Sequence, residues 1–363
     1  MAVDKFRVAL IGCGRVARVH AGALARSPEA VLAVAVDIRR ERAEAFAAQY
    51  GCEAETDWER VLTRADIDAV EICTPHYLHA PMTIAAAKAG KHILTEKPMA
   101  LSVTDADAMI QAAEENGVTL GVIFQNRYNT ASQAARQAVD SGEIGAIRGA
   151  RAFLTWNRSD EYYSHSDWKG TWDKEGGGVL IDQAIHTIDL VQWLMGPAAE
   201  LHATYDTRDH DVINVDDVAE ATIRFQNGAL ASIYANCLYP YDADVFVEIV
   251  GEKGLIRIIK DVAYIKVGNV THTVEPVADP DQPTLGPGYW GQSHAKQIND
   301  FFRSVRKGER PYIDGHEGKK AMELVLAMYQ SARKDDWVRL PLSEPLLAPE
   351  VKGLKPVAAR VAE

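Results

Sequence analysis

The stretch Ala9-Leu10-Ile11-Gly12-Cys13-Gly14-Arg15-Val16-Ala17 decides the fold of the first part of this chain. Residues 5–11 form a short apolar, β-branched run that ends abruptly in glycine, the pattern of a buried strand, and residues 15–25 follow with helical character. Gly12 can take the angles of the tight turn between them. Gly14 leaves the backbone open to a pyrophosphate, and Ala17 is small enough for helix and strand to pack closely. The first-turn amides, at the positive end of the helix dipole, suit phosphate. Asp37 closes the next apolar run, 31–36, roughly 20 residues on, where a carboxylate accepts hydrogen bonds from an adenosine ribose. An ordinary strand–turn–helix carries the same glycines. The strand before, the helix after and the acid at the end of the next strand together indicate a dinucleotide site. A carboxylate at 37 repels a 2′-phosphate, which favours NAD over NADP, although Arg39 and Arg40 soften that preference.

At 363 residues the chain exceeds one ordinary core, and about 150 residues per domain predicts two. The apolar share of 47% and charged share of 25% are those of a soluble enzyme. A net charge of −12, from 39 basic and 51 acidic residues, argues against a nucleic-acid partner. No apolar run approaches the ~18 residues of a membrane span. The N-terminus enters the first strand almost at once, which predicts no signal peptide. Cys13, Cys52, Cys73 and Cys237 form no CxxC pair and have no metal-ligand spacing, so they read as reduced thiols of a cytoplasmic protein with no metal.

The first third alternates strand candidates (6–11, 31–36, 69–72, 92–94 and 118–124) with alanine-rich helices at 39–50, 78–89 and 104–116. Gly51, Gly90 and Gly117 stop those helices. Such alternation predicts a doubly wound parallel sheet over residues 1–124, with ligands beyond the carboxyl ends of its strands. From 125 to 363 the texture is that of an α+β domain. Strands are expected at 147–156, 200–205, 215–225, 229–238, 245–250, 255–259 and 262–267, helices at 179–195, 293–306 and 318–334, and a loop at 276–288. Asn227-Gly228 and Gly251-Glu252-Lys253-Gly254 are reversals that demand antiparallel neighbours, hence a large open sheet. One face of it must be covered by helices or by another subunit.

Two segments could carry chemistry. Thr95-Glu96-Lys97-Pro98 lies at the ligand-binding edge of the first sheet, where Pro98 restricts Lys97 to extended angles. A lysine fixed beside a nicotinamide polarises a carbonyl or stabilises an alkoxide; a loop lysine paired with Glu96 is the plainer account. Gly176-Gly177-Gly178 introduces a helix whose Asp182, His186 and Asp189 share one face by spacing, amid apolar neighbours. Such a stripe is either a helix-stabilising Asp–His pair or an acid–base site, in which histidine takes a hydroxyl proton as hydride leaves carbon. No third ligand with suggestive spacing supports a metal there.

Together these segments resemble the Gfo/Idh/MocA family of sugar and cyclitol oxidoreductases, over essentially the whole chain. The resemblance is carried by Gly12-Cys13-Gly14-Arg15-Val16-Ala17 with His20, by Thr74-Pro75-His76-Tyr77-Leu78-His79, and by Ala89-Gly90-Lys91-His92 leading to Glu96-Lys97-Pro98. Gln125-Asn126-Arg127-Tyr128 and the glycine run with Asp182 and His186 complete it. Position 76 departs, with histidine where asparagine is more usual.

The resemblance implies a catalytic triad of Lys97, Asp182 and His186. It places Thr74, Pro75, His79, Glu96 and Gln125 around the nicotinamide half of the cofactor, and Gly12, Gly14, Arg15, Val16, Asp37, Ile38, His76, Lys97 and Trp168 are the further cofactor-binding candidates. Trp168 and Trp172 would close over cofactor and sugar. Lys97, Arg127, Trp156, Asn157, Tyr163, His165, Asp182 and His186 would contact the substrate. The aromatic and polar mixture of 156–172 suits a hydroxylated ring. The implied activity is NAD-dependent oxidation of a secondary hydroxyl of a pyranose, sugar derivative or cyclitol, by a homodimer or homotetramer. Two alternatives are an NAD-dependent redox glycosidase, with Tyr163 or His165 as second base, and a non-catalytic NAD-binding regulator.

Overall fold

The computed structural model describes residues 4–277 and 293–349, so the loop expected at 276–288 lies, beyond residue 277, outside the described residues. The chain divides into two compact units, Met1–Tyr128 with Ala278–Lys319, and Asn129–Val277 with Lys320–Glu363.

In the first unit six strands form a parallel sheet: β1 (Phe6–Ile11), β2 (Ala30–Val36), β3 (Glu53–Glu55), β4 (Ala69–Ile72), β5 (His92–Thr95) and β6 (Leu120–Val122). Their order is β3-β2-β1-β4-β5-β6, the doubly wound arrangement of dinucleotide-binding sheets. Helices cover both faces, so β4 is buried at every residue and reads as a continuous apolar run apart from Glu71. β3 was not foreseen. It is a charged, three-residue edge strand with no apolar alternation, recruited by pairing with Val34, Ala35 and Val36 of β2.

The helix His294–Lys307 was expected in the second domain, but it belongs to the first unit. Its Ile298, Phe301 and Phe302 enter the same core as Val8, Leu10, Leu24 and Leu94, and Phe302 stacks on Phe6 with centroids 5.5 Å apart. Gln297 fastens the end of β6, donating to Val122 O at 2.7 Å and accepting from Phe124 N at 3.0 Å. A single boundary after residue 124 therefore does not describe the compact units, because this helix finds its apolar partner on the sheet begun some 290 residues earlier.

The second unit is a nine-stranded sheet where seven strands were expected. It comprises β7 (Ile147–Thr155), β8 (Ala198–Asp206), β9 (Val218–Phe225), β10 (Leu230–Asn236), β11 (Phe246–Gly251), β12 (Gly254–Ile259), β13 (Val262–Val267), β14 (Val270–Val274) and β15 (Val338–Arg339). The order is β14-β13-β12-β11-β7-β10-β9-β8-β15, antiparallel throughout except for the parallel pair β7–β10. Asn227-Gly228 turns β9 into β10 and Gly251–Gly254 turns β11 into β12, as their residue types dictate. The two added strands lie at the sheet's edges. β14 is exposed along most of its length and β15 is only two residues long, so neither carries a core pattern. One face packs beneath the helices Thr130–Asp140 and Ile185–Met195. The other exposes Phe153, Leu230 and Val250.

Candidate active site

In the first unit the candidate residues gather at the carboxyl ends of the strands. Gly12 has φ +95°, and a Cβ there would come within 2.7 Å of the Cys73 carbonyl oxygen; at Gly14 a Cβ would meet nothing, which leaves that turn open. The helix Ala17–Leu24 has no side-chain N-cap and no acid in its first turn, so its amides are available to a phosphate. Asp37, just past β2, accepts from Cys13 N at 3.0 Å through Oδ2 and from Arg39 N at 2.9 Å through Oδ1. Each oxygen keeps a lone pair for a ribose hydroxyl. The side chain of Ile38 points to solvent. This turn, cradle and carboxylate fit NAD.

The nicotinamide-side candidates follow β4, β5 and β6. Between Ile93 and Ala100, Lys97 alone keeps solvent exposure. Glu96 Oε2 accepts from Lys97 N at 3.1 Å. Gln125 is buried at the start of the turn Gln125–Tyr128, and His76 is buried after Pro75. His79 is fully buried, its Nδ1 facing Pro98 O at 2.7 Å and its Nε2 facing Thr74 O at 2.9 Å. It braces the loops after β4 and β5 from beneath, so the direct cofactor contact expected of its side chain is replaced by a supporting one. Arg127 also departs from expectation. Its guanidinium is 1% exposed and paired with Glu317 at 2.9 Å, which makes it an internal ion pair rather than an open substrate contact.

In the second unit the glycine run leads into a π-helix, Val179–Ala184, continued by the α-helix Ile185–Met195. Gly178 presses so closely on the Asp216 carbonyl that any side chain would collide. The Asp216 carboxylate caps the helix start, accepting from Gly178 N at 2.6 Å, Leu180 N at 2.9 Å and Tyr329 OH at 2.8 Å. Those donors offset the cost of burying the acid. From Val179 to Gln192 only Asp182 and His186 keep exposure. Asp189, expected on the same face, is fully buried, because the wider π turn breaks the regular spacing on which that reading relied.

Asp182 lies in a dense polar cluster. Its Oδ2 accepts from Lys169 Nζ at 2.7 Å, Tyr162 OH at 2.9 Å and Gln183 Nε2 at 3.0 Å. Lys169 also lies 3.5 Å from Glu175 and over the rings of Trp168 (4.5 Å) and Tyr162 (4.7 Å). Burial opposes the lysine charge, but Asp182, Tyr162 and Glu175 outweigh it and raise its pKa. Burial pushes Glu175 up to about 8, with Lys169 opposing the rise.

Lys169, Tyr162, Glu175 and Asp216 were missed from the sequence. The available signals were the position of Lys169 directly after Trp168 and that of Glu175 directly before the glycine run. Tyr163, expected at the substrate, is instead 2% exposed, packed with Ile213 and Val215, its OH 3.3 Å from Cys237 Sγ. Adjacent residues on the helix Asp160–Ser164 point apart, so it is Tyr162 that reaches Asp182. Trp156 donates Nε1–H to Ala243 O at 3.1 Å, and Asn157 donates Nδ2–H to Tyr239 O at 2.8 Å, so both tie down the segment after β10. Trp172 is likewise committed, donating to Asn214 O at 2.6 Å and packing edge-on to Tyr329. Trp168 stays half-buried against Lys169, and His165 is exposed.

Comparison with known proteins identifies relatives of both parts of the chain. Residues 6–124 match the oxidoreductase family with an NAD-binding Rossmann fold, and residues 132–257 match the C-terminal domain of the GFO/IDH/MocA proteins. The chain is 29% identical to myo-inositol 2-dehydrogenase of Thermotoga maritima, over 92% of this chain and 98% of that protein. Among solved structures it is similar to the WlbA dehydrogenase from Bordetella pertussis in complex with NADH and UDP-GlcNAcA. That match has TM-score 0.83 and 32% identity, and covers 94% of this chain and 100% of the other. A levoglucosan dehydrogenase in complex with NADH and levoglucosan matches with TM-score 0.83 and 28% identity, over 93% and 100% of the two chains.

Proposed function

Because the chain belongs to the Gfo/Idh/MocA family of oxidoreductases, we propose that it is an NAD-dependent dehydrogenase acting on a secondary hydroxyl of a pyranose sugar, sugar derivative or cyclitol. NAD, when bound, supplies the hydride acceptor. The chain supplies orientation, charge and a proton acceptor. His186 takes the hydroxyl proton, Lys97 stabilises the substrate oxygen as charge develops, and Asp182 orients the substrate. The observation that carries this reading is selective exposure: Lys97 on one segment, and Asp182 with His186 on the other, keep partial solvent exposure amid buried neighbours.

A screen of cyclitols, pyranosides and their uronic-acid derivatives with NAD and with NADP, read by NADH absorbance, tests it. At least one secondary alcohol of this class should reduce NAD. Failure of the whole panel would refute the substrate class. Release of a free aglycone without net NADH would instead indicate redox glycoside cleavage, although the burial of Tyr163 removes one base that reaction could use.

We further propose that the chain acts in the cytoplasm as a homodimer or homotetramer built on the open face of the nine-stranded sheet. Exposed Phe153, Leu230 and Val250 support the assembly, since apolar groups on a sheet face favour a covering partner. All four cysteines are unpaired, in keeping with a reducing compartment. No helix of the described residues is long and apolar enough to cross a membrane.

A further inference from the structure

Below the Glu96-Lys97-Pro98 turn, the first unit buries ionisable side chains that the chemistry above does not use. Glu71 comes from β4, His20 from the helix Ala17–Leu24, Glu96 from the end of β5 and His294 from the start of its helix, and all four are buried. His20 Nδ1 faces Glu71 Oε2 at 2.7 Å and its Nε2 faces Glu96 Oε1 at 3.0 Å. With a carboxylate oxygen beside each ring nitrogen, both nitrogens can donate, the arrangement that favours an imidazolium. Burial opposes that charge, but the hydrogen bonds to Glu71 and Glu96 favour it, and the pKa of His20 is raised well above the usual value. The neighbouring groups are neutral. Burial holds His294, 3.9 Å from Glu96, at about 4, pushes the Cys73 thiol to about 11, and lowers His79. The other cation beside Glu96 is Lys97.

We propose that His20 is a positioning residue for Lys97: the Glu71–His20–Glu96 ladder fixes the carboxylate that caps the Lys97 amide and holds an anion beside the lysine side chain. This rests on the reading of Lys97 given above. Burial alone would raise Glu96, but the hydrogen bond and charge of His20 bring it to about 2, so the carboxylate stays ionised throughout the working range. Without His20, Glu96 takes up a proton in mild acid and the Lys97 amide loses its charged acceptor.

The test combines pH-dependent kinetics of His20→Gln, Glu71→Gln and Lys97→Met with nitrogen-15 NMR of the histidine rings. His20→Gln should lose about 10²-fold in kcat, the scale of a small displacement of a catalytic group, with little change in NAD affinity. It should also gain an acid limb, falling as pH drops, that the unmodified enzyme lacks. The NMR should show one histidine that stays protonated on both nitrogens well above the ordinary value near 6.5, and this signal should be absent in His20→Gln. Should that variant not fold, Glu71→Gln serves: its His20 should release a proton at lower pH, and turnover should fall in step. A His20 that loses its proton at the ordinary histidine value, or a Glu71→Gln enzyme whose turnover ignores the His20 titration, would overturn the ladder. If Lys97→Met abolishes turnover while His20→Gln behaves as wild type, the ladder alone fails. If Lys97→Met leaves turnover intact, the reading of Lys97 fails and the ladder with it. A stoichiometric divalent metal lost in His294→Ala would overturn it too, since His20, Glu96 and His294 lie close enough to share an ion.

Discussion

Lys169 Nζ donates to Asp182 Oδ2 at 2.7 Å within the second unit, so the charge of Asp182 has a counterion on its own unit. The contact is largely shielded from solvent and lies beside buried Glu175, and breaking such a pair on one side leaves a poorly compensated charge. Lys169→Met should therefore raise KM and lower kcat by about 10²-fold. It should also make activity fall as pH drops, because Asp182 without its cation is protonated at higher pH. Lys169→Arg should restore much of the loss. Unchanged kinetics in Lys169→Met would show that Asp182 needs no local partner.

Glu175 gives a stability prediction with a definite sign. The folded chain keeps its proton to about pH 8, whereas an ordinary glutamate releases it near 4.5. Stability from this group is thus fully present below that lower value and is lost as pH rises toward about 8. Glu175→Gln mimics the protonated form. Its melting temperature should match the unmodified protein below about pH 4.5 and exceed it increasingly as pH rises toward about 8; a constant difference across that window would contradict the assignment.

Two neighbouring tyrosines should separate function from stability. Tyr162→Phe removes the 2.9 Å hydrogen bond to Asp182 and should lower kcat/KM by about 10-fold, the order expected for a hydrogen bond to a charged group, with little change in Tm. Tyr163→Ala empties a packed site and should cost about 3–5 kcal/mol in denaturant unfolding. The reverse pattern would return Tyr163 to the substrate.

The parallel sheet was legible because buried strands, glycine turns and alanine-rich helices leave periodic marks in the sequence. Asp182 and His186 were legible because polar residues on an apolar helix stand out. The rest depended on long-range pairing. Nothing local to residues 294–307 says that Phe301 and Phe302 pack beside Leu10, and nothing in the edge strand 53–55 announces pairing with β2. Tyr162 and Tyr163 are chemically alike in sequence; only the direction each takes from a five-residue helix assigns one to Asp182 and the other to the core. The π turn, which buries Asp189, defeats any count based on 3.6 residues per turn.

Asp37 should set cofactor choice. Its carboxylate is pinned by two backbone amides and is oriented before any ligand arrives. Asp37→Ala should weaken NAD binding by about 10-fold or more, the range for a hydrogen bond to a charged group, and narrow its advantage over NADP. Equal affinity for the two cofactors in the unmodified protein, by calorimetry, would refute the ribose assignment while leaving the Gly12–Ala17 turn intact.

The most direct test of the proposed chemistry is the pH dependence of turnover in the unmodified enzyme against His186→Ala. Oxidation should rise with pH as a histidine gives up its proton, since only the neutral ring accepts one from the substrate. In His186→Ala that rise should vanish and turnover should fall by ~10²–10⁴-fold, the usual scale for a lost general base, while NAD affinity is retained. Near-normal turnover with the same pH rise in the variant would contradict the account and return His186 to a structural place on its helix.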